Sequence, residues 1–194
     1  MRKLKSRATK GETVASRQND DYTARVEALL KQFGVRALPV PVDKIAKGLG
    51  AQLRYSPLDE ELSGMIYISG DTPIIGVNSL HSPNRQRFSI AHETAHLALH
   101  RHLISGKVHV DKEFQVPLVR LNRDEISALG TDAIEIQANQ FAAELLMPRA
   151  WFEAALASKS FDIDNESPLD ELAKKFRVSR QALEYRIRNL ALPR

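Results

Sequence analysis

The sequence has no cysteine, so neither a disulfide nor a thiolate metal ligand can contribute to its fold or chemistry. It also lacks any apolar run approaching the 18 or so residues that a membrane-spanning helix requires. Its N-terminus is basic but carries no apolar segment of the kind found in secretory signals. No internal repeat or low-complexity tract is present. Together these absences lead to the expectation of a cytoplasmic protein that does not engage a membrane.

A length of 194 residues suits one domain with a sizeable core and small appendages. Charge is distributed unevenly along it. Residues 1–18 hold six basic side chains (Arg2, Lys3, Lys5, Arg7, Lys10 and Arg17) against Glu12, a net +5, whereas the whole chain is only +4. The body is therefore close to neutral. A basic, apolar-poor stretch over residues 1–19 is expected to be a disordered, solvated tail.

Catalytic chemistry is written most clearly in His92-Glu93-Thr94-Ala95-His96. Two histidines four residues apart lie on one face of an α-helix, about one turn apart, so their imidazoles can converge on a single metal ion. The Glu between them can take a proton from a metal-activated water. The surrounding residues 84–102 contain neither Gly nor Pro, and Ser82-Pro83 supplies a helix entrance. Phe88, Ala91, Ala95 and Ala98 form an apolar stripe, with His92, His96 and Leu99 beside it. The histidines are thus expected to face inward.

A catalytic zinc needs three protein ligands and one open position. His102 stands where a longer histidine motif would place its third ligand, but that motif needs Gly at position 99, and Leu99 does not break the helix. In an unbroken helix His102 is turned by about 240° from His96 and points elsewhere. Asp111 and Glu113 lie in a segment with no helical frame to aim them. Glu135 is preferred. It belongs to AIEIQANQFAAELLMP, where Ile134, Ala138, Phe141, Ala142 and Leu145 follow a helical period. Asn139, one turn on, can hydrogen-bond the outer nitrogen of a liganding imidazole and so fix its tautomer. An oxyanion-stabilising group is also required; Tyr67, His100 and His109 are candidates.

RQRFSIAHETAHLALH followed by EIQANQFAAELLMP resembles the ImmA/IrrE metallopeptidases, a gluzincin-like family, and the likeness extends from about residue 22 to the C-terminus. Carried over by position, it implies His92, His96 and Glu135 as metal ligands and Glu93 as the base. It further implies a zincin-like α+β fold, a small mixed sheet packed on the HExxH helix, within a metallopeptidase domain over 20–160. Zn2+ is the implied cofactor, with Mn2+ an alternative for the same ligands. The implied substrate is a helix-turn-helix repressor of the Xre type, cut at one site, as in mobile-element, stress-response or toxin–antitoxin regulation. The stretch between His96 and Glu135, roughly 105–130, is long for the family.

Elsewhere, DYTARVEALLKQFG reads as an amphipathic helix closed by Gly34, and VDKIAKGLG as a second, short one. Residues 51–55, 65–68 and 73–78 alternate like strands. An exposed edge strand beside the active-site helix could take an extended substrate by main-chain pairing, a role assigned here to Ile74, Ile75, Gly76, Val77 and Asn78. Within 161–194, SPLDELAKKFRVSRQALEYRIRNL has two helices and a tight turn, with Ser167 and Ser179 as helix caps. This is helix-turn-helix-like, and Arg180, Gln181, Tyr185 and Arg188 could face DNA. The preferred reading is that Leu172, Phe176, Val178, Leu183 and Ile187 pack the pair onto the core or a partner. The rival function is a non-proteolytic regulator that binds a repressor or DNA through these helices.

Overall fold

The computed structural model describes residues 14–104, 109–112, 127–159 and 167–191. Eight helices and four strands appear among them: α1 (Val14–Gln32), α2 (Val42–Gly48), β1 (Gln52–Ser56), β2 (Leu62–Ser69), β3 (Thr72–Asn78), α3 (Pro83–Leu99), α4 (Arg101–Ile104), β4 (His109–Lys112), α5 (Ser127–Leu146), α6 (Arg149–Ala157), α7 (Ser167–Phe176) and α8 (Arg180–Ala191). The fold is α+β with a small mixed sheet, as the sequence leads one to expect.

The sheet runs β1-β3-β2-β4. β1 pairs with β3 in parallel, while β2 pairs antiparallel with β3 on one side and with β4 on the other. β3 is therefore interior. This corrects its assignment as an exposed edge. Ile74 to Asn78 are paired to β1 on one side, and Ile74 to Val77 to β2 on the other, which leaves that stretch no free main-chain edge for a peptide. Ile74, Ile75, Val77 and Asn78 are buried. Asn78 serves the fold instead. Its amide nitrogen donates to the Leu62 and Asp59 carbonyls at 2.8 and 3.1 Å, and its amide oxygen accepts from the Leu80 N–H at 3.0 Å, which pins the β1–β2 connection. Among the described residues, the sheet's margins are β1 and β4.

The expected N-terminal tail also needs correction. α1 starts at Val14, so residues 14–19 are helical, while residues 1–13 lie outside the described residues. No Gly or Pro separates residue 14 from the amphipathic stretch, so the helix continues back through the polar residues. Tyr22, Val26 and Leu30 then recur at helical spacing and are buried in the core.

α3 begins where Ser82 caps it, the hydroxyl accepting from the Arg85 N–H at 3.4 Å, with Pro83 at the first helical position. It lies across the sheet and against α5. Ala138, Phe141, Ala142 and Leu145 of α5 are fully buried there, and each large side chain contributes on the order of 1.5–3 kcal/mol through burial. The C-terminal pair packs into the same core. Leu172, Phe176, Val178 and Leu183 belong to the single buried cluster, Ile187 packs against it, and the Phe176 ring meets Phe152 edge-on at 5.3 Å. Arg186 of α8 forms a buried ion pair with Glu144 of α5 and donates to the Met147 carbonyl at 3.1 Å. Ser179 caps α8 by accepting from the Ala182 N–H at 3.1 Å. Among the described residues no helix is long and apolar enough to cross a membrane.

Candidate metal centre

α3 and α5 bring His92, His96 and Glu135 together. The His92 and His96 Nε2 atoms are 3.0 Å apart, and the Glu135 carboxylate oxygens lie 3.1 Å from the first and 3.4 Å from the second. Both imidazoles are buried and Glu135 is half-buried. Tetrahedral bonds of the usual zinc–nitrogen and zinc–oxygen lengths set neighbouring ligand atoms about 3.3 Å apart. The three separations match that spacing.

The outer nitrogens of the two rings define their tautomers. His92 Nδ1 lies 2.9 Å from the Asn139 amide oxygen, so this nitrogen carries the proton and Nε2 is left with a lone pair. On the other ring, His100 Nε2 donates to the Gln137 amide oxygen at 2.9 Å, which leaves His100 Nδ1 as an acceptor facing His96 Nδ1 at 3.3 Å. His96 therefore holds its proton on Nδ1 and presents the Nε2 lone pair inward. Two imidazole lone pairs and a carboxylate converge with no proton between them, an arrangement that a cation satisfies. The donor set therefore fits a divalent ion such as zinc, which takes N and O ligands of this kind.

Asn139, expected to orient a liganding imidazole, is placed against His92. His100, one of three candidates for an oxyanion-stabilising group, instead lies behind His96, buried and bonded to Gln137. Its signal in the sequence was spacing: it follows His96 by one helical turn on the same face. Tyr67 is directed elsewhere by strand alternation, since Gly64 and Ile66 occupy the β2 face toward α3 and Tyr67 the opposite one. The side chains of His109 and Asp111, and all of Glu113, lie outside the described residues. Of the C-terminal side chains considered for DNA, Arg180 is ion-paired with Glu184 and Asp170, Gln181 and Tyr185 line a cleft with α3 and α5, and Arg188 is exposed.

Glu93 is fully buried on the sheet side of α3. Its space depends on Gly64 of β2. A methyl group at Gly64 would stand 3.2 Å from Glu93 Oε1, 3.3 Å from the Gly76 carbonyl oxygen and 3.3 Å from Ser89 Cβ. The register between β2 and β4 shifts between Leu62 and Gly64, a bulge beside this carboxylate. Ser63 within it is buried and accepts from Arg85 Nη2 and Nε at 2.9 and 3.2 Å.

The IrrE N-terminal-like domain, a peptidase family, matches residues 46–188. The chain belongs to that family. The matched segment holds the two helices that carry His92, His96 and Glu135 and most of the C-terminal pair. Among solved structures, a Mycobacterium tuberculosis transcriptional regulator has the same fold, with a TM-score of 0.62 at 20% identity. The likeness covers 92% of this chain and 50% of that one, so the chain spans half the length of that regulator. No curated protein matches the sequence.

Proposed function

We propose that this IrrE-like protein is a metal-dependent endopeptidase that cuts a helix-turn-helix repressor of the Xre type at one site, acting in the cytoplasm on transcription control. The observation that carries the reading is the convergence of His92, His96 and Glu135, with a buried glutamate, Glu93, on the helix that carries both histidines. His92, His96 and Glu135 would hold the ion, zinc by preference and manganese as the alternative. When bound, the ion would supply Lewis-acid polarisation of the scissile carbonyl and acidification of a water molecule. Asn139 and His100 keep both ligand nitrogens unprotonated on the inner side. Glu93 accepts a proton from the attacking water and returns it to the leaving amine. Burial beside Gly64 holds that carboxylate in place, and excluded bulk water strengthens its interaction with developing charge.

The test is incubation of the cognate repressor with zinc-loaded protein and with its Glu93→Gln variant, read by intact mass. One discrete cut by the wild type alone, with zinc affinity equal in both proteins, is expected. Cleavage by Glu93→Gln at the wild-type rate would refute the role of Glu93. The alternative, a non-proteolytic regulator, takes its support from the description of the M. tuberculosis protein as a transcriptional regulator. It requires tight DNA or repressor binding through α7–α8 with no cut by either protein.

A further inference from the structure

A cleft of about 380 Å3 opens between the N-terminal half of α3, the C-terminal half of α5 and α8. That volume suits one or two amino-acid side chains. Its walls include Phe88, Ala143, Leu146 and Met147, a mostly apolar set, and it reaches the candidate metal centre through Asn139, whose amide oxygen holds His92 at 2.9 Å. The Phe88 ring lies 6.2 Å from the His92 ring. Phe88 and His92 are one turn apart on one face of α3, so the cleft follows the helix away from the metal ligands. From Asn84 to His92 the helix rises about 12 Å, the length of about four residues of extended peptide.

Among the described residues one cation lines this cleft. Arg85 is half-buried, and its guanidinium donates through Nε and Nη2 to a single neutral acceptor, the Ser63 hydroxyl. Among the described residues it meets no carboxylate. A guanidinium presents five donors in a planar fork that suits a carboxylate better than a lone hydroxyl. Two cationic side chains of α8 differ: Arg180 has Asp170 and Glu184, and Arg186 has Glu144.

We propose that this cleft is a substrate subsite for an acidic residue of the peptide, within about four positions of the scissile bond. The carboxylate sits on the Arg85 guanidinium, and the adjoining apolar part of the substrate lies against Phe88, Ala143 and Met147. The inference rests on the peptidase reading and adds a specificity to it. α8 then has a role in substrate choice, since Gln181, Ala182 and Tyr185 form the wall opposite α5.

The experiment uses the zinc-loaded full chain and two series of peptide hydroxamates, one extending from each side of the chelating group. Glu, Gln and Leu are scanned through the four nearest positions, and binding is measured against acetohydroxamate, which has no side chain to reach the cleft. At one position the Glu probe is expected to bind at least tenfold more tightly than its Gln isostere. Arg85→Met should abolish that preference while leaving acetohydroxamate affinity unchanged. Ser63→Ala, which frees the guanidinium without removing it, should retain the preference. If Arg85→Met does not fold, Ala143→Leu narrows the apolar wall and should weaken the Glu probe without affecting acetohydroxamate. Equal binding of Glu and Gln probes at every position overturns the subsite, as does a preference that survives Arg85→Met. Failure to bind zinc or acetohydroxamate at all removes the peptidase reading, and this subsite with it.

Discussion

Replacing His100 with Phe keeps an aromatic ring of similar size but removes both nitrogens of the Gln137–His100–His96 chain. In the native protein His96 Nδ1 is buried and has His100 Nδ1 as its acceptor at 3.3 Å. The variant leaves it two choices. It can keep its proton on Nδ1 as an unsatisfied buried donor, at a cost of about 1–3 kcal/mol. Otherwise it moves the proton to Nε2, where it faces His92 Nε2 and blocks a ligand position. Either choice penalises the metal-binding form, and losing an outer-shell partner of this kind typically weakens metal affinity by about 10–100-fold, or roughly 1.4–2.7 kcal/mol. The assay is competition for Zn2+ against a chromophoric chelator, paired with melting curves in the chelated and zinc-loaded states. The loaded protein should lose more thermal stability than the chelated one. His100→Gln, whose amide oxygen can accept from Nδ1, should recover part of the affinity. Zinc affinity within twofold of wild type in His100→Phe would refute the tautomer argument, because His96 would then need no partner on its outer nitrogen.

Gly64→Ala places a methyl 3.2 Å from Glu93 Oε1, which must then give by a few tenths of an ångström; on the peptidase reading it should leave zinc affinity unchanged while lowering turnover by less than the roughly 100-fold that a displacement of about 1 Å costs. Parallel zinc titration and cleavage rates of the repressor separate the two effects, and equal losses in both would contradict the placement. Arg186→Met strands the buried Glu144 carboxylate and should destabilise the protein by about 3–5 kcal/mol in urea melts. Adding Glu144→Gln should restore part of that loss, and a purely additive double variant would show that the pair is not coupled. Arg177 sits at φ 54 in the α7–α8 turn, so Arg177→Gly should stabilise by about 1 kcal/mol by relieving left-handed strain. Arg87, whose pKa burial lowers first and the neighbouring Arg177 charge second, would gain from the same change.

The grouping of His92, His96 and Glu135 was legible because helical spacing is a local property. His92 and His96 share a face by their separation alone, and Glu135 with Asn139 share another by the same rule. What spacing could not supply was which residues lie across from them. His100 was visible as a histidine on the right face, yet whether it looks toward substrate or toward His96 depends on Gln137, a residue from a different helix. The role of Gly64 was hidden for the same reason, since its constraint comes from α3 crossing β2. β3 was misplaced because its sequence, TPIIGVN, is apolar on both faces and continuous. Such a run is the mark of a strand flanked on both sides rather than of an edge.

The C-terminal pair carries this distinction furthest. Capping serines, a tight turn and a basic balance describe equally well a pair of helices that reads DNA and one that closes a domain. The local pattern fixes the two helices but says nothing about which face is covered. That is decided by residues far away in the chain: Glu144 draws Arg186 inward, Asn84 donates to the Val178 carbonyl at 3.0 Å, and Phe152 meets the Phe176 ring. Once Leu172, Phe176 and Leu183 are committed to the core, Gln181, Ala182 and Tyr185 of α8 form a wall of the cleft that reaches His92 through Asn139, while Gln181 and Arg188 stay exposed. The same packing that anchors the pair thus positions it to act on whatever occupies the metal centre. If the chain is the peptidase proposed above, substitutions at Ala182 and Tyr185 should change which peptides are cut, and cleavage profiling of Tyr185→Ala that matches the wild type would contradict that role of α8.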